Sequence, residues 1–71
     1  MWVYARASNS AVNLDHVSRM FVEETGSGAA LKAEVGGKMQ MIGYFNSKAE
    51  AQAALEAIME KSEAGAMVYR L

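Results

Sequence analysis

The side chains able to do chemistry in this sequence are few. His16 directly follows Asp15, with Ser8, Ser10 and Ser18 close by along the chain, so a nucleophilic Ser–His–Asp arrangement is the first chemistry to weigh. Neighbouring residues of an extended chain project to opposite sides, and the sequence has no G-x-S-x-G turn to expose a strained serine oxygen. His16 therefore reads as a turn or surface histidine, and no catalytic residue is assigned. Thr25-Gly26-Ser27-Gly28 and Gly36-Gly37-Lys38 complete neither phosphate-loop pattern, and neither leads into a helix whose free N–H groups could hold a phosphate. Both read as hairpin turns. With 0 Cys, 1 His, adjacent Glu23 and Glu24 that point apart, and no calcium-loop pattern, no metal site and no cofactor are expected.

The arginines carry more information. Arg6 and Arg70 lie near opposite ends of the chain, among Trp2, Tyr4 and Tyr69. Guanidinium groups clamp phosphates in a bidentate fashion and stack on aromatic rings. If the terminal strands were neighbours, these residues would form a patch suited to the phosphate and base of a nucleotide. Arg19 shares strand parity with Val17 and Phe21, so on a covered face its charge must reach out to solvent or meet an acid or anionic ligand. The candidate ligand-binding set is Trp2, Tyr4, Arg6, Arg19 and Arg70. An ordinary Arg–Glu pair on a dimer rim is the competing reading.

The elements that must position these residues follow from local pattern. Trp2 to Ala7 suits a strand, Ser8-Asn9-Ser10 a turn, and Ala11 to Leu14 a second strand. Val17 to Glu24 is a third, broken by Thr25–Gly28. Ala29, Leu31, Ala33 and Val35 alternate with Ala30, Lys32 and Glu34, the period of two of a fourth strand, and Met39 to Phe45 pairs with it across Gly36-Gly37-Lys38. Ser47-Lys48-Ala49-Glu50 is a capping-box start for a helix whose apolar stripe is Ala51, Ala54, Leu55, Ile58 and Met59. Gly65 is a natural left-handed stop, and Ala66 to Leu71 returns to strand or forms a swapped arm. The expected fold is α+β in the order β-β-β-β-β-α-β: one antiparallel sheet of four to five strands with a single helix on one face, all in one domain, 1–71.

Composition sets the rest. Seven Lys/Arg against eight Asp/Glu give a net charge of -1, so nucleic acid and anionic membrane are disfavoured partners. No run approaches the ~18 apolar residues of a membrane span, and Met1-Trp2-Val3-Tyr4-Ala5-Arg6 lacks the character of a signal peptide, so a cytoplasmic location is expected. Apolar residues make up 52% of 71 residues, yet a chain this short supports a core only near break-even. Without disulfides, self-association is the remaining stabiliser. Parity places Met39, Met41 and Phe45 opposite Ile42 and Tyr44, and Val17 and Phe21 opposite Met20 and Val22, so both faces of the sheet are apolar. One helix covers one face. A homo-oligomer is expected on the other, with Met20, Val22, Met39, Met41, Tyr44 and Tyr69 at the interface.

The opening Met1-Trp2-Val3, the run Val12-Asn13-Leu14-Asp15 leading into a strand, and Gly43-Tyr44-Phe45 ahead of Ser47, Ala51, Leu55 and Ile58 resemble a loose group of small uncharacterised proteins of Gram-positive bacteria and their phages. The resemblance spans Met1 to about Ile58 and brings no enzymatic residues. Small phage proteins of this kind often act by stoichiometric binding, either blocking a host protein or trapping a signalling nucleotide inside an oligomer. It implies a non-catalytic oligomer, a counter-defence factor that sequesters a small anionic, nucleotide-like ligand at subunit interfaces. The alternative is a protein-interaction module, an inhibitor or adaptor of a host protein, that uses a sheet edge or the acidic helix stripe Glu56, Glu60 and Glu63.

Overall fold

The two ends of the chain lie side by side in one sheet. The computed structural model describes residues 1–71, the side chain of Ala7 excepted. Among the described residues the order is β1 (Trp2–Ala5), β2 (Ser10–Asn13), β3 (Val17–Glu24), β4 (Ala29–Val35), β5 (Lys38–Phe45), α1 (Lys48–Glu63) and β6 (Val68–Arg70). The fold is a small α+β arrangement, as expected. Its strands form two sheets of three, ordered β2-β1-β6 and β3-β4-β5, where one sheet was expected. The break falls at Leu14–His16, a 3-10 turn set by the Asn13 side chain, which accepts the Asp15 N–H at 3.0 Å. Strand β6 pairs parallel with β1, so the terminal sheet is mixed. A parallel neighbour needs a crossover, which the intervening chain, helix included, supplies.

Local chemistry explains the boundaries. Asn9 takes the left-handed conformation (φ 51) that closes the β1–β2 connection, and Gly36 and Gly37 take it between β4 and β5. The Ser47 side chain accepts the Glu50 N–H at 3.2 Å and starts α1. At the other end Gly65 N–H bonds Ser62 C=O and Ala66 N–H bonds Lys61 C=O, a Schellman stop with Gly65 at φ 80.

Two β-bulges decide which side chains face inward. In β5 Leu31 lies opposite Gly43 while Lys32 lies opposite Met41, so Ile42 is an extra residue. Ile42 turns into the core, and the face of every later residue shifts by one. Phe45 consequently packs on the core, while Tyr44 joins Met39 and Met41 outside, at 44%, 52% and 44% exposure. This corrects the expectation that Tyr44 would oppose those methionines. A second irregularity between Val17 and Arg19 sends Val17 inward with Met20 and Val22, and leaves Arg19 and Phe21 on the other face. Met20 and Val22, expected on the helix-free face, therefore pack against the core. Tyr69 does too, because parallel pairing sets it beside buried Val3. The core itself joins Val3, Ala5 and Val12 of one sheet to Leu31, Ala33 and Ile42 of the other and to Ile58 of the helix.

Gly28 locks the β3–β4 turn against β5. A methyl group there would collide with the Phe45 carbonyl oxygen, a backbone atom, and lie 3.0 Å from the Tyr44 hydroxyl. Gly26, two residues earlier, has open space. Gly28→Ala is predicted to cost about 1–3 kcal/mol of stability by urea unfolding, and Gly26→Ala to stay within about 0.5 kcal/mol of the parent.

Candidate ligand-binding surface

Trp2 and Tyr4 alternate along β1 with buried Val3 and Ala5, so both lie on the outer face of the terminal sheet. Parallel pairing sets Val68 beside Trp2 and Arg70 beside Tyr4. The Arg70 guanidinium carbon stands 5.9 Å from the Tyr4 ring centroid, in cation–π range. The Tyr4 hydroxyl donates to Asn9 Oδ1 at 3.3 Å, which steadies the ring. Trp2 is half exposed beside them. The structure thus brings Trp2, Tyr4 and Arg70 together. Arg6 follows in the Arg6–Ser8 turn and instead lines a groove of about 300 Å³ with Gly43, Tyr44, Phe45 and Leu71. Arg19 sits apart on β3, 4.4 Å over the Phe21 ring.

None of these arginines has a carboxylate within ion-pair distance among the described residues. The ion pairs are Lys32–Glu23 at 2.7 Å, Lys48–Glu24 at 3.6 Å and the Met1 amino group with Asp15 at 3.9 Å. The competing Arg–Glu reading finds no such pair within one subunit. Glu56, Glu60 and Glu63 are exposed along α1, and no cation bridges them among the described residues.

The outer face of the β3-β4-β5 sheet carries Met39, Met41 and Tyr44 next to the Lys32–Glu23 pair and Phe21. Tyr44 is tethered: its hydroxyl lies 2.6 Å from Ser27 Oγ and 2.9 Å from Thr25 Oγ1. Thr25 Oγ1 also accepts the Gly28 N–H at 3.0 Å, which ties the turn to the same cluster. Sequence reading missed this hydroxyl cluster. Its one signal was the placement of Thr25 and Ser27 around a turn whose glycine leaves room for an aromatic ring.

The Ser–His–Asp reading is not assembled. His16 and Asp15 are exposed, the Ser18 hydroxyl donates to the Glu34 carbonyl, and Ser8 engages Ala5 and Ser10. Among the described residues no three His, Cys, Asp or Glu gather as metal ligands, and no helix is long and apolar enough to cross a membrane. No family model, curated protein or solved structure matches the chain.

The Ser27 and Thr25 hydroxyls favour the Tyr44 phenolate and hold its pKa below the ordinary 10.0, Ser27 having the larger effect. A lowered acid pKa in the folded state adds stability that is fully present above the unfolded value and is lost as pH falls through the folded one, so the effect is confined to alkaline solution. The ultraviolet titration difference between the parent and Tyr44→Phe should have its midpoint below 10.0, and Ser27→Ala should move that midpoint upward.

Proposed function

We propose that this chain is a non-catalytic, homo-oligomeric binding protein that sequesters a small anionic, nucleotide-like ligand. The observation that carries this reading is the Arg70 guanidinium over the Tyr4 ring beside half-exposed Trp2, with no carboxylate within ion-pair distance of it among the described residues. Trp2 and Tyr4 are two residues apart on one strand face, about 7 Å, a spacing at which a base stacks on one ring while its phosphate reaches the neighbouring guanidinium. Arg19 over Phe21 offers a second cation on an aromatic platform. Copies associate through the exposed Met39, Met41 and Tyr44 face, whose apolar area a single helix on the opposite side leaves open. The counter-defence role rests on the resemblance to small phage proteins, and the cytoplasmic setting on the lack of a long apolar run and of signal-peptide character in the sequence.

Thermal unfolding against a panel of mono-, di- and cyclic nucleotides tests the reading. A bound nucleotide at ~100 times its Kd adds ~2.7 kcal/mol, or roughly 10–20 °C for a domain of this size. Arg70→Ala and Trp2→Ala should each abolish the shift. Absence of a shift with every nucleotide contradicts the proposal.

A further inference from the structure

Strand β3 has a partner on one side only. It forms an edge of the order β3-β4-β5, and among the described residues no backbone bond joins its far side to another element. An edge of 8 residues with free N–H and C=O groups is a template for another strand. The side chains alternate usefully along it. Met20 and Val22 lie on the core side, and Arg19, Phe21 and Glu23 on the outer side. The Thr25 N–H to Gly28 C=O bond closes the turn, and counting back from it directs the backbone groups of Glu23, Phe21 and Arg19 toward β4. Those of Met20 and Val22 point to the free edge.

We infer that β3 pairs antiparallel with β3 of a second copy, about a two-fold axis through Phe21. This rests on the reading that copies associate and goes beyond it by placing a seam along the β3 edge of the sheet. A two-fold axis perpendicular to the sheet sets residues of like parity opposite each other, which leaves three central registers. Centring on Met20 sets Ser18 against Val22 of the partner subunit and Val17 against Glu23 of the partner subunit. Centring on Val22 sets Phe21 and Met20 against carboxylates. Centring on Phe21 pairs Arg19 with Glu23 of the partner subunit, Met20 with Val22 of the partner subunit and Phe21 with its own copy, and at the strand ends sets the Ser18 hydroxyl against Glu24 of the partner subunit.

Arg19 lies over Phe21 at 4.4 Å and has no carboxylate within ion-pair distance among the described residues, so its charge can meet one from a second copy. Its cross-strand neighbour is Glu34, yet no ion pair forms between them, whereas Glu23 is already held outward by Lys32 at 2.7 Å. Pairing would join Lys32, Glu23 and the partner's Arg19 in one network, twice by symmetry. On the core side a groove of about 390 Å³ runs beside β3, lined by Val17, Met20, Leu55 and Met59 among others, with Met59 43% exposed. The second copy would close over it.

The chain has 0 Cys, which makes the seam testable by single cysteines. Across the axis Phe21 occupies a non-hydrogen-bonded pair with Cα atoms about 4.5 Å apart, within disulfide range. Mild oxidation should convert Phe21→Cys to a covalent dimer, while Met20→Cys and Val22→Cys remain uncoupled. Arg19→Gln and Glu23→Gln should each weaken the dimer about tenfold by sedimentation, and the double variant no more than either alone. Coupling at Met20→Cys or Val22→Cys in place of Phe21→Cys, or additive effects of the two Gln changes, overturns this seam but leaves self-association standing. A monomer at every concentration with no coupling overturns both.

Discussion

The molecule depends on one extra residue in β5. Side chains alternate along a strand, so the bulge at Ile42 is what lets Ile42 and Phe45 both reach the core of a strand that also carries Met39, Met41 and Tyr44 outward. A regular strand would have placed Ile42 and Phe45 on opposite faces and left one of them wet, at a loss of roughly 1.5–3 kcal/mol. The bulge concentrates the large apolar side chains of β5 into two sets. One closes the core. The other is left open on a face that neither the helix nor the terminal sheet covers.

The core that results is small. Its largest fully buried side chains are Leu31, Ile42, Ile58 and Val3, and much of the remainder is alanine: Ala5, Ala29, Ala30, Ala33 and Ala51. Short side chains let the two sheets and the helix approach closely but contribute little apolar area each. A core of this kind gains from any further layer. The proposed contacts between copies, one on the open face and one along the β3 edge, are where such a layer would add.

Much of the fold was legible because local chemistry dictated it. Ser47 and Gly65 bracket the helix as their cap preferences require, Asn9 and the Gly36-Gly37 pair close the turns, and the alternation in Ala29–Val35 marks a strand with one buried face. The neighbouring terminal strands, and with them the grouping of Trp2, Tyr4 and Arg70, were also foreseeable as a condition. The bulges were not. A bulge is selected by the fit of two strands against a common core, and its only trace in the sequence is Gly43 inside an apolar run. Assignments resting on strict alternation across Val17–Arg19 or Met41–Gly43 were therefore displaced: Val17 left the face of Arg19 and Phe21 for that of Met20 and Val22, and Tyr44 and Phe45 exchanged faces. Parallel pairing of β6 was hidden for a similar reason, since strand direction is set by the route of the crossover and not by residues within the strand. The register of β6, with Tyr69 beside Val3, turns Tyr69 inward.

Single cysteines at Met39, Met41, Ile42 and Tyr44, labelled with a small thiol reagent at submicromolar protein, read the bulge directly. The structure predicts rapid modification of Met39→Cys, Met41→Cys and Tyr44→Cys and protection of Ile42→Cys, which sits at 1% exposure in the parent. Equal reactivity of Ile42→Cys and Tyr44→Cys, the outcome of unbroken alternation, would contradict it.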